Sequence, residues 1–351
     1  MPITDELANL EEQLLEERKK VDVSSHDFSV RELVRMLSES ELSITPEYQR
    51  KYRWKPAVAS TFLESILLGL PIPPIFVATN SGFEWEVVDG LQRLSTLLYF
   101  VSDDPAALKI INRRHPLALE DLQKLSQLNG KRYRDLPPNI QRYFGRQPLQ
   151  VISLTDKSDK SVRFDLFERL NAGSVALTPQ EVRACIYRGQ FNDFLEKLSE
   201  DMSFRALLKV QESNRHDGTF AEEVLKYFAY KNSAATFDGR VKEFLNIYME
   251  TASNEFDYTA ERDTFQEATK KLLEATSGEP LIRRGANITP RVQFEACLVG
   301  VAKLIEEGRE VLIPSDDWIH DPELLEASKG GSNTRQRLER RINRAIQLFT
   351  T

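Results

Sequence analysis

The run Trp85-Glu86-Val87-Val88-Asp89-Gly90-Leu91-Gln92-Arg93-Leu94-Ser95-Thr96 carries the residue types that phosphate chemistry uses. A strand that ends in Asp-Gly and passes straight into a helix exposes the helix's first backbone N–H groups, which have no internal partner and carry positive partial charge. Such an end binds anions. Gly90 lets a phosphate approach the backbone, and Arg93 adds a planar fork of donors that suits phosphate oxygens. Asp89, at the carboxyl end of the strand, is placed to hold Mg2+ on those phosphates or to accept a proton from an attacking water. Spacing alone favours a plainer junction, in which Asp89 caps the helix and Arg93 meets a surface carboxylate, because Asp-Gly pairs are common.

Two further clusters carry chemistry. In Pro46-Glu47-Tyr48-Gln49-Arg50-Lys51-Tyr52-Arg53-Trp54, alternating aromatic and cationic residues suit a stacked base or a gripped phosphate. The same pattern fits a solvated basic strand with Tyr48, Tyr52 and Trp54 turned inward. In Phe167-Glu168-Arg169-Leu170-Asn171-Ala172-Gly173, followed by Leu177-Thr178-Pro179-Gln180-Glu181, Asn171 and Gly173 mark a helix end and a tight turn. A functional reading has Arg169 and Asn171 reach toward a ligand of the first domain.

The elements that must position these residues follow from periodicity. Residues 5 to 20 place Leu7, Leu10, Leu14 and Leu15 at helical spacing and form a leader helix over 1–24, for which docking on its own domain is the simplest expectation and pairing with a partner helix the other. Ser29 to Glu32 is a capping box, Leu42 to Ile44 a candidate strand, and Pro56 the first residue of a helix that Gly69 ends. Leu70-Pro71-Ile72-Pro73-Pro74 must be an extended connector into a strand at Ile75 to Thr79, and Glu84 to Val88 is the next strand. On the helix after it, Leu91, Leu94, Leu97, Leu98 and Val101 gather on a packed side while Gln92, Arg93 and Thr96 project from a free one. Leu149 to Leu154 is a last strand. From 156 to 351 the pattern is helical, with start signals at Thr178-Pro179-Gln180-Glu181, Thr219 to Glu222 and Thr289-Pro290. The fold class is therefore α+β: a mixed α/β domain over 25–155, then an all-α domain over 156–351.

Composition bounds the rest. Hydrophobic residues at 41% and charged ones at 29% indicate a globular chain, and a net charge of −7 argues against a protein that coats nucleic acid through its overall field. The basic residues Arg335, Arg337, Arg340, Arg341 and Arg344 read as a solvated helix face. No apolar run approaches the roughly 20 residues that cross a bilayer, so a cytoplasmic location without membrane contact is expected. Cys185 and Cys297 read as small buried hydrophobes. His26, His115, His216 and His320 lack metal-site spacing, and the acidic surroundings of His320 read as an exposed loop.

Taken together, Tyr48-Gln49-Arg50 with Trp54, the Leu68-Gly69-Leu70-Pro71-Ile72-Pro73 bridge, Asp89-Gly90-Leu91-Gln92-Arg93-Leu94-Ser95-Thr96, and Arg169-Leu170-Asn171-Ala172-Gly173 with Leu177-Thr178-Pro179-Gln180-Glu181 resemble the DUF262 family, which includes the N-terminal domain of GmrSD-type restriction endonucleases. The resemblance covers about residues 25 to 200. It implies a ParB/sulfiredoxin-like fold for the first domain, a nucleoside triphosphate bound by an Asp-Gly-Gln-Gln-Arg-type motif, and in some members its hydrolysis with Mg2+. Carried over, Asp89, Gln92 and Arg93 are the catalytic candidates, with Asp89 the Mg2+ ligand. Tyr48, Gln49, Arg50, Trp54, Gly90, Ser95, Thr96, Arg169 and Asn171 are the nucleotide-binding candidates. Leu91 stands where the family usually has glutamine, which would slow hydrolysis if that side chain aligns a water.

The nuclease domain with a His-rich motif that restriction members carry is not seen in this sequence. The resemblance thus implies an NTP-binding, hydrolysing sensor or regulator in prokaryotic defence or a toxin-antitoxin-like setting, with DNA, a separately encoded effector or nuclease, and a second copy as candidate partners. A rival is a nucleotide-gated DNA clamp or adaptor with little catalysis; a nuclease built on Asp89 alone is the weakest reading.

Overall fold

A computed structural model describes residues 2–19, 21–44, 52–79, 84–155, 164–166, 169, 178–215, 217–252, 256–314, 317–329 and 333–350. The chain falls into two compact units, Met1–Ala176 and Leu177–Thr351. The first is a mixed α/β unit and the second, among the described residues, is helical.

The first unit runs α1 (Pro2–Lys19), β1 (Val23–Ser29), α2 (Val30–Ser38), β2 (Leu42–Ser43), α3 (Pro56–Leu67), β3 (Ile75–Thr79), β4 (Trp85–Asp89), α4 (Leu91–Val101), α5 (Pro105–Ile110), α6 (Pro138–Gly145) and β5 (Pro148–Leu154). The strands form one sheet in the order β1-β5-β3-β4-β2, with β1/β5 and β3/β4 antiparallel and β3/β5 and β2/β4 parallel. The Ser29 hydroxyl caps α2 by accepting from the Glu32 N–H at 3.2 Å, which is one half of the expected box; the Glu32 carboxylate accepts from Arg35 at 2.9 and 3.3 Å instead. Leu94, Leu97 and Leu98 of α4 are fully buried with Leu63 of α3 and Leu33 of α2 in the core. Each such leucine stabilises the fold by about 1.5–3 kcal/mol, so the sheet-side stripe fixes how α4 leaves β4.

The stretch between α5 and α6 has little regular structure and hangs on α3 instead. The buried Glu64 carboxylate accepts from the Lys124 and Leu125 N–H groups at 2.9 and 2.7 Å, and the Ser60 hydroxyl accepts from Glu120 N at 3.0 Å. These bonds satisfy backbone donors that neither helix nor sheet takes up.

Two expectations for this unit are corrected. Leu10, Leu14 and Leu15 of α1 are each more than half exposed, so these three side chains are not docked on the unit's core. The free side of α4 is narrower than the helical wheel implies: Thr96 is fully buried, because the Tyr52 phenol closes over it with a 3.0 Å hydrogen bond between the two hydroxyls.

In the second unit, Thr178 and Glu181 form the reciprocal box expected of them. The Glu181 N–H donates to Thr178 Oγ1 at 3.2 Å, and the Thr178 N–H to Glu181 Oε2 at 2.7 Å. The other two start signals resolve differently. Gly218, left-handed at φ 79°, precedes the helix Thr219–Ser233, and it is Asp217 that accepts from the Thr219 N–H, at 3.1 Å. Thr289 does not cap the helix Arg291–Glu306; its hydroxyl accepts from Lys209 N at 2.9 Å. Helix Arg291–Glu306 packs closely on helix Arg335–Leu348, where a Cβ on Gly300 would lie 2.9 Å from that of Ala345. Of the terminal arginines, Arg341 is buried, not solvated, and donates to Asn333 Oδ1 at 3.0 Å. The stretch around His320 is a 3-10 turn anchored by buried Trp318; His320 Nε2 accepts from Arg284 N at 2.9 Å and Nδ1 lies 2.5 Å from Asp317 Oδ1.

Candidate functional site

Residues Val88 to Thr96 form the strand-glycine-helix junction that the sequence marks. β4 ends at Asp89, Gly90 adopts φ 105° and ψ 8°, and α4 starts at Leu91 with no side chain among the described residues capping its first amides. Only glycine enters this left-handed region without strain, and space demands it too: a Cβ here would lie 3.1 and 3.2 Å from two carbons of Ile75. Asp89 therefore does not cap the helix; its carboxylate points along α4.

That carboxylate meets Arg93 one turn later. Arg93 Nη2 donates to Asp89 Oδ2 at 2.7 Å, and Nη1 donates to the carbonyls of Pro73, at short range, and of Pro74, at 3.1 Å. The guanidinium thus ties the end of β4 to the proline-rich connector before β3. Burial lowers the Arg93 pKa, with Asp89 opposing that shift. The Arg93 side chain is 12% exposed and that of Asp89 40%, so the acid faces solvent while the base is mostly covered. Asp89 Oδ1 has no hydrogen-bond partner among the described residues.

Gln92 joins the second motif to the first. Its Oε1 accepts from the N–H groups of Arg53 and Trp54 at 2.9 and 3.2 Å, which hangs the basic segment on the first turn of α4. The Gln92 Nε2 donors have no partner among the described residues. Thr96 reinforces the joint from behind: its hydroxyl donates to the Gln92 carbonyl at 2.7 Å and pairs with the Tyr52 phenol. Burial raises the Tyr52 pKa, with Thr96 and the Arg113 charge acting the other way. The Arg113 guanidinium lies 4.9 Å from the Tyr52 ring centre and 5.5 Å from that of Tyr99.

The remaining candidates divide. Ser95 is buried, and its hydroxyl has no hydrogen-bond partner among the described residues. Trp54 is half-buried and packs edge-on against Phe62 at 5.5 Å, which leaves it at the rim of the core. Arg169 is exposed on a helical residue of the first unit. Tyr48, Gln49, Arg50 and Asn171 lie outside the described residues.

Sequence reasoning missed the two proline carbonyls, Tyr52 as the lid on Thr96, and Arg113. The prolines did carry a signal: a Pro-Pro pair in an extended connector presents carbonyls that no local N–H reaches, and a nearby arginine suits them. Arg113 had none, since a cation stacked on two aromatic rings from a distant turn leaves no mark in local spacing.

Chemically, and among the described residues, the junction offers an uncapped helix start, one half-exposed carboxylate with a spare oxygen, unpartnered amide donors on Gln92, and a guanidinium held in register by three acceptors. Among the described residues no group of three His, Cys, Asp or Glu side chains could by itself hold a metal ion. A single carboxylate oxygen nevertheless fits Mg2+, which takes most of its ligands from phosphates and water when it accompanies a nucleotide.

Residues 31–188 match the family model described as "GmrSD restriction endonuclease, N-terminal domain". The match takes in all three motifs and runs from α2 through the capping box at Thr178. Neither a curated protein nor a solved structure matches the chain. Among the described residues no helix is long and apolar enough to cross a membrane.

Proposed function

We propose that this chain, whose residues 31–188 match the GmrSD restriction endonuclease N-terminal domain family, serves in a restriction-like defence system as its nucleoside-triphosphate-binding and hydrolysing regulator. The observation that carries the reading is the uncapped start of α4 at Gly90, flanked by Asp89 and Arg93. Backbone donors there suit a phosphate, and an uncapped helix N-terminus favours negative charge by about 0.3–1 kcal/mol even before side chains contribute.

In this reading, Arg93 is a positioning residue first: it holds Asp89 and the Pro73-Pro74 connector around the helix start. Asp89 Oδ1 would hold Mg2+, whose chemistry is to neutralise developing charge on the transferred phosphoryl group. Gln92 presents its Nε2 donors beside the same turn, where they would orient a phosphate oxygen or a water. Tyr48, Gln49, Arg50 and Asn171 are proposed to complete the nucleotide contacts, on the strength of the family resemblance. DNA and a separately encoded nuclease are the partners such a regulator would serve.

A thermal-shift panel of ATP, GTP, CTP and UTP with Mg2+ tests this. A ligand at one hundred times its Kd stabilises the folded state by about 2.7 kcal/mol, so at least one nucleotide should raise the Tm, and Asp89→Asn should remove the rise and the accompanying phosphate release. A chain whose Tm ignores all four nucleotides would refute the proposal.

A further inference from the structure

A groove of about 610 Å3 lies wholly within the second unit, beside helix Met202–Leu207 and the start of helix Thr219–Ser233. Its rim carries Arg205, Lys209 and Arg215, and among the described residues no carboxylate lines it. Its apolar wall includes Leu208, Phe220 and Pro280. In a chain of net charge −7, three cations gathered without a lining acid need a reason.

Two of the cations are held ready for a ligand. Arg205 Nε donates to the Ser199 carbonyl at 2.8 Å, and its guanidinium carbon lies 4.7 Å from the centre of the Phe220 ring. The plane is thereby fixed, while its two terminal nitrogens find no acceptor among the described residues. Lys209 stands on an extended segment stapled at both backbone groups: its N–H donates to Thr289 Oγ1 and its carbonyl accepts from Thr289 N, each at 2.9 Å. Leu281 N donates to the Leu207 carbonyl at 3.0 Å and extends the staple. The Lys209 ammonium itself has no partner among the described residues. Among the described residues only Arg215 of the three has a carboxylate, the exposed Glu212 at 3.1 Å, which contributes little.

The chemistry of the occupant follows. A bare inorganic anion would leave the apolar wall wet, and an apolar molecule would desolvate cations with nothing to pair them. The volume lies within the roughly 300–1,000 Å3 of small-ligand sites. Arginine planes and aromatic rings are the surfaces on which nucleobases stack. We propose that this groove binds a nucleotide unit, its phosphate on Arg205, Lys209 and Arg215 and its base against the Arg205–Phe220 stack. This second site is independent of the Asp89 junction.

The test is fluorescence anisotropy of a fluorescein-labelled twelve-residue oligothymidylate with the full chain in EDTA, which removes Mg2+-dependent binding at the Asp89 junction, over a salt series and with AMP as competitor. Wild type is expected to bind, and Arg205→Ala/Lys209→Ala to bind at least tenfold more weakly, with a log–log salt slope flatter by about 1.4, two contacts at about 0.7 each on a single strand. Arg205→Lys should keep the salt slope yet lose several-fold in affinity, because the charge stays and the stacking plane goes. Displacement by AMP would identify a free nucleotide as the ligand, and resistance to AMP a strand. Both Arg205 and Lys209 are exposed, so unchanged melting curves should show that the variants fold. No binding by wild type, or equal binding by the double variant, overturns the proposal.

Discussion

Arg93 meets a carboxylate on one terminal nitrogen and two proline carbonyls on the other, and this pattern separates its two conceivable roles. Lysine carries the same charge but no fork, so Arg93→Lys cannot span Asp89 and Pro73-Pro74 together. The substitution should destabilise the first unit by about 1–3 kcal/mol, the usual cost of stranding buried acceptors, read as a lower urea midpoint. Asp89→Asn keeps an acceptor for Arg93 and should cost less, while still removing the proposed Mg2+ oxygen; equal midpoints for the two variants would deny Arg93 its bridging role. Gly90 is the sharper case. With φ 105° and Ile75 carbons 3.1 Å from a would-be Cβ, Gly90→Ala adds backbone strain and a clash at once. A loss of about 1–3 kcal/mol is expected, and an alanine variant as stable as wild type would mean that β4 and α4 can separate at this joint.

At the scale of elements, α4 was legible because its leucines recur at helical spacing, and β3, β4 and β5 because short apolar runs sit between turn signals. The Ser29 cap and the capping box at Thr178 were legible for the same local reason, although the Glu32 carboxylate pairs with Arg35 and only half of the box expected at Ser29 is seen among the described residues. Thr96 and Arg341 were not: a polar residue on the outer arc of a helical wheel looks solvated until a distant Tyr52 or Asn333 covers it. Leu10, Leu14 and Leu15 were misjudged in the opposite sense, since periodicity shows that a face is apolar but not what it meets. The site divides likewise. The Asp89-Gly90-Arg93 geometry follows from adjacency, whereas Arg113 above Tyr52 depends on tertiary placement. Helix contact supplies another prediction. Gly300 lets helix Arg291–Glu306 approach Ala345, so Gly300→Ala should overpack the crossing and cost about 1–3 kcal/mol. Adding Ala345→Gly removes the nearest atom, and the pair should recover part of that loss in a double-mutant cycle, though the Ile342 carbonyl and Ile346 nitrogen remain 3.2–3.3 Å away.

Over the whole molecule, the two units bury different chemistry. The first encloses leucines against a sheet, while the second encloses charges among its aromatic rings. Lys226 lies 3.3 Å from Glu222, 2.9 Å from Glu223 and 3.4 Å from Glu295, and Arg183 lies 2.5 Å from Glu222. Burial lowers the pKa of Lys226, but the surrounding carboxylates outweigh it and hold the ammonium charged. Glu295 goes the other way: burial pushes its carboxyl up to about 7, Glu223 adds to the rise, and Lys226 and Arg341 oppose it. The folded chain therefore keeps a proton on Glu295 at pH values where the unfolded chain has released it. This group's contribution is fully present below about pH 4.5 and is lost as pH climbs through about 7, a swing on the order of 3 kcal/mol at 1.36 kcal/mol per pH unit. Glu295→Gln keeps the shape and removes the titration. Urea midpoints of wild type relative to Glu295→Gln should fall between about pH 4.5 and pH 7 and level off above it, because only wild type loses stability by giving up that proton. A difference that stays flat across this range would mean that Glu295 is ionised throughout, with Lys226 and Arg341 together strong enough to offset its burial.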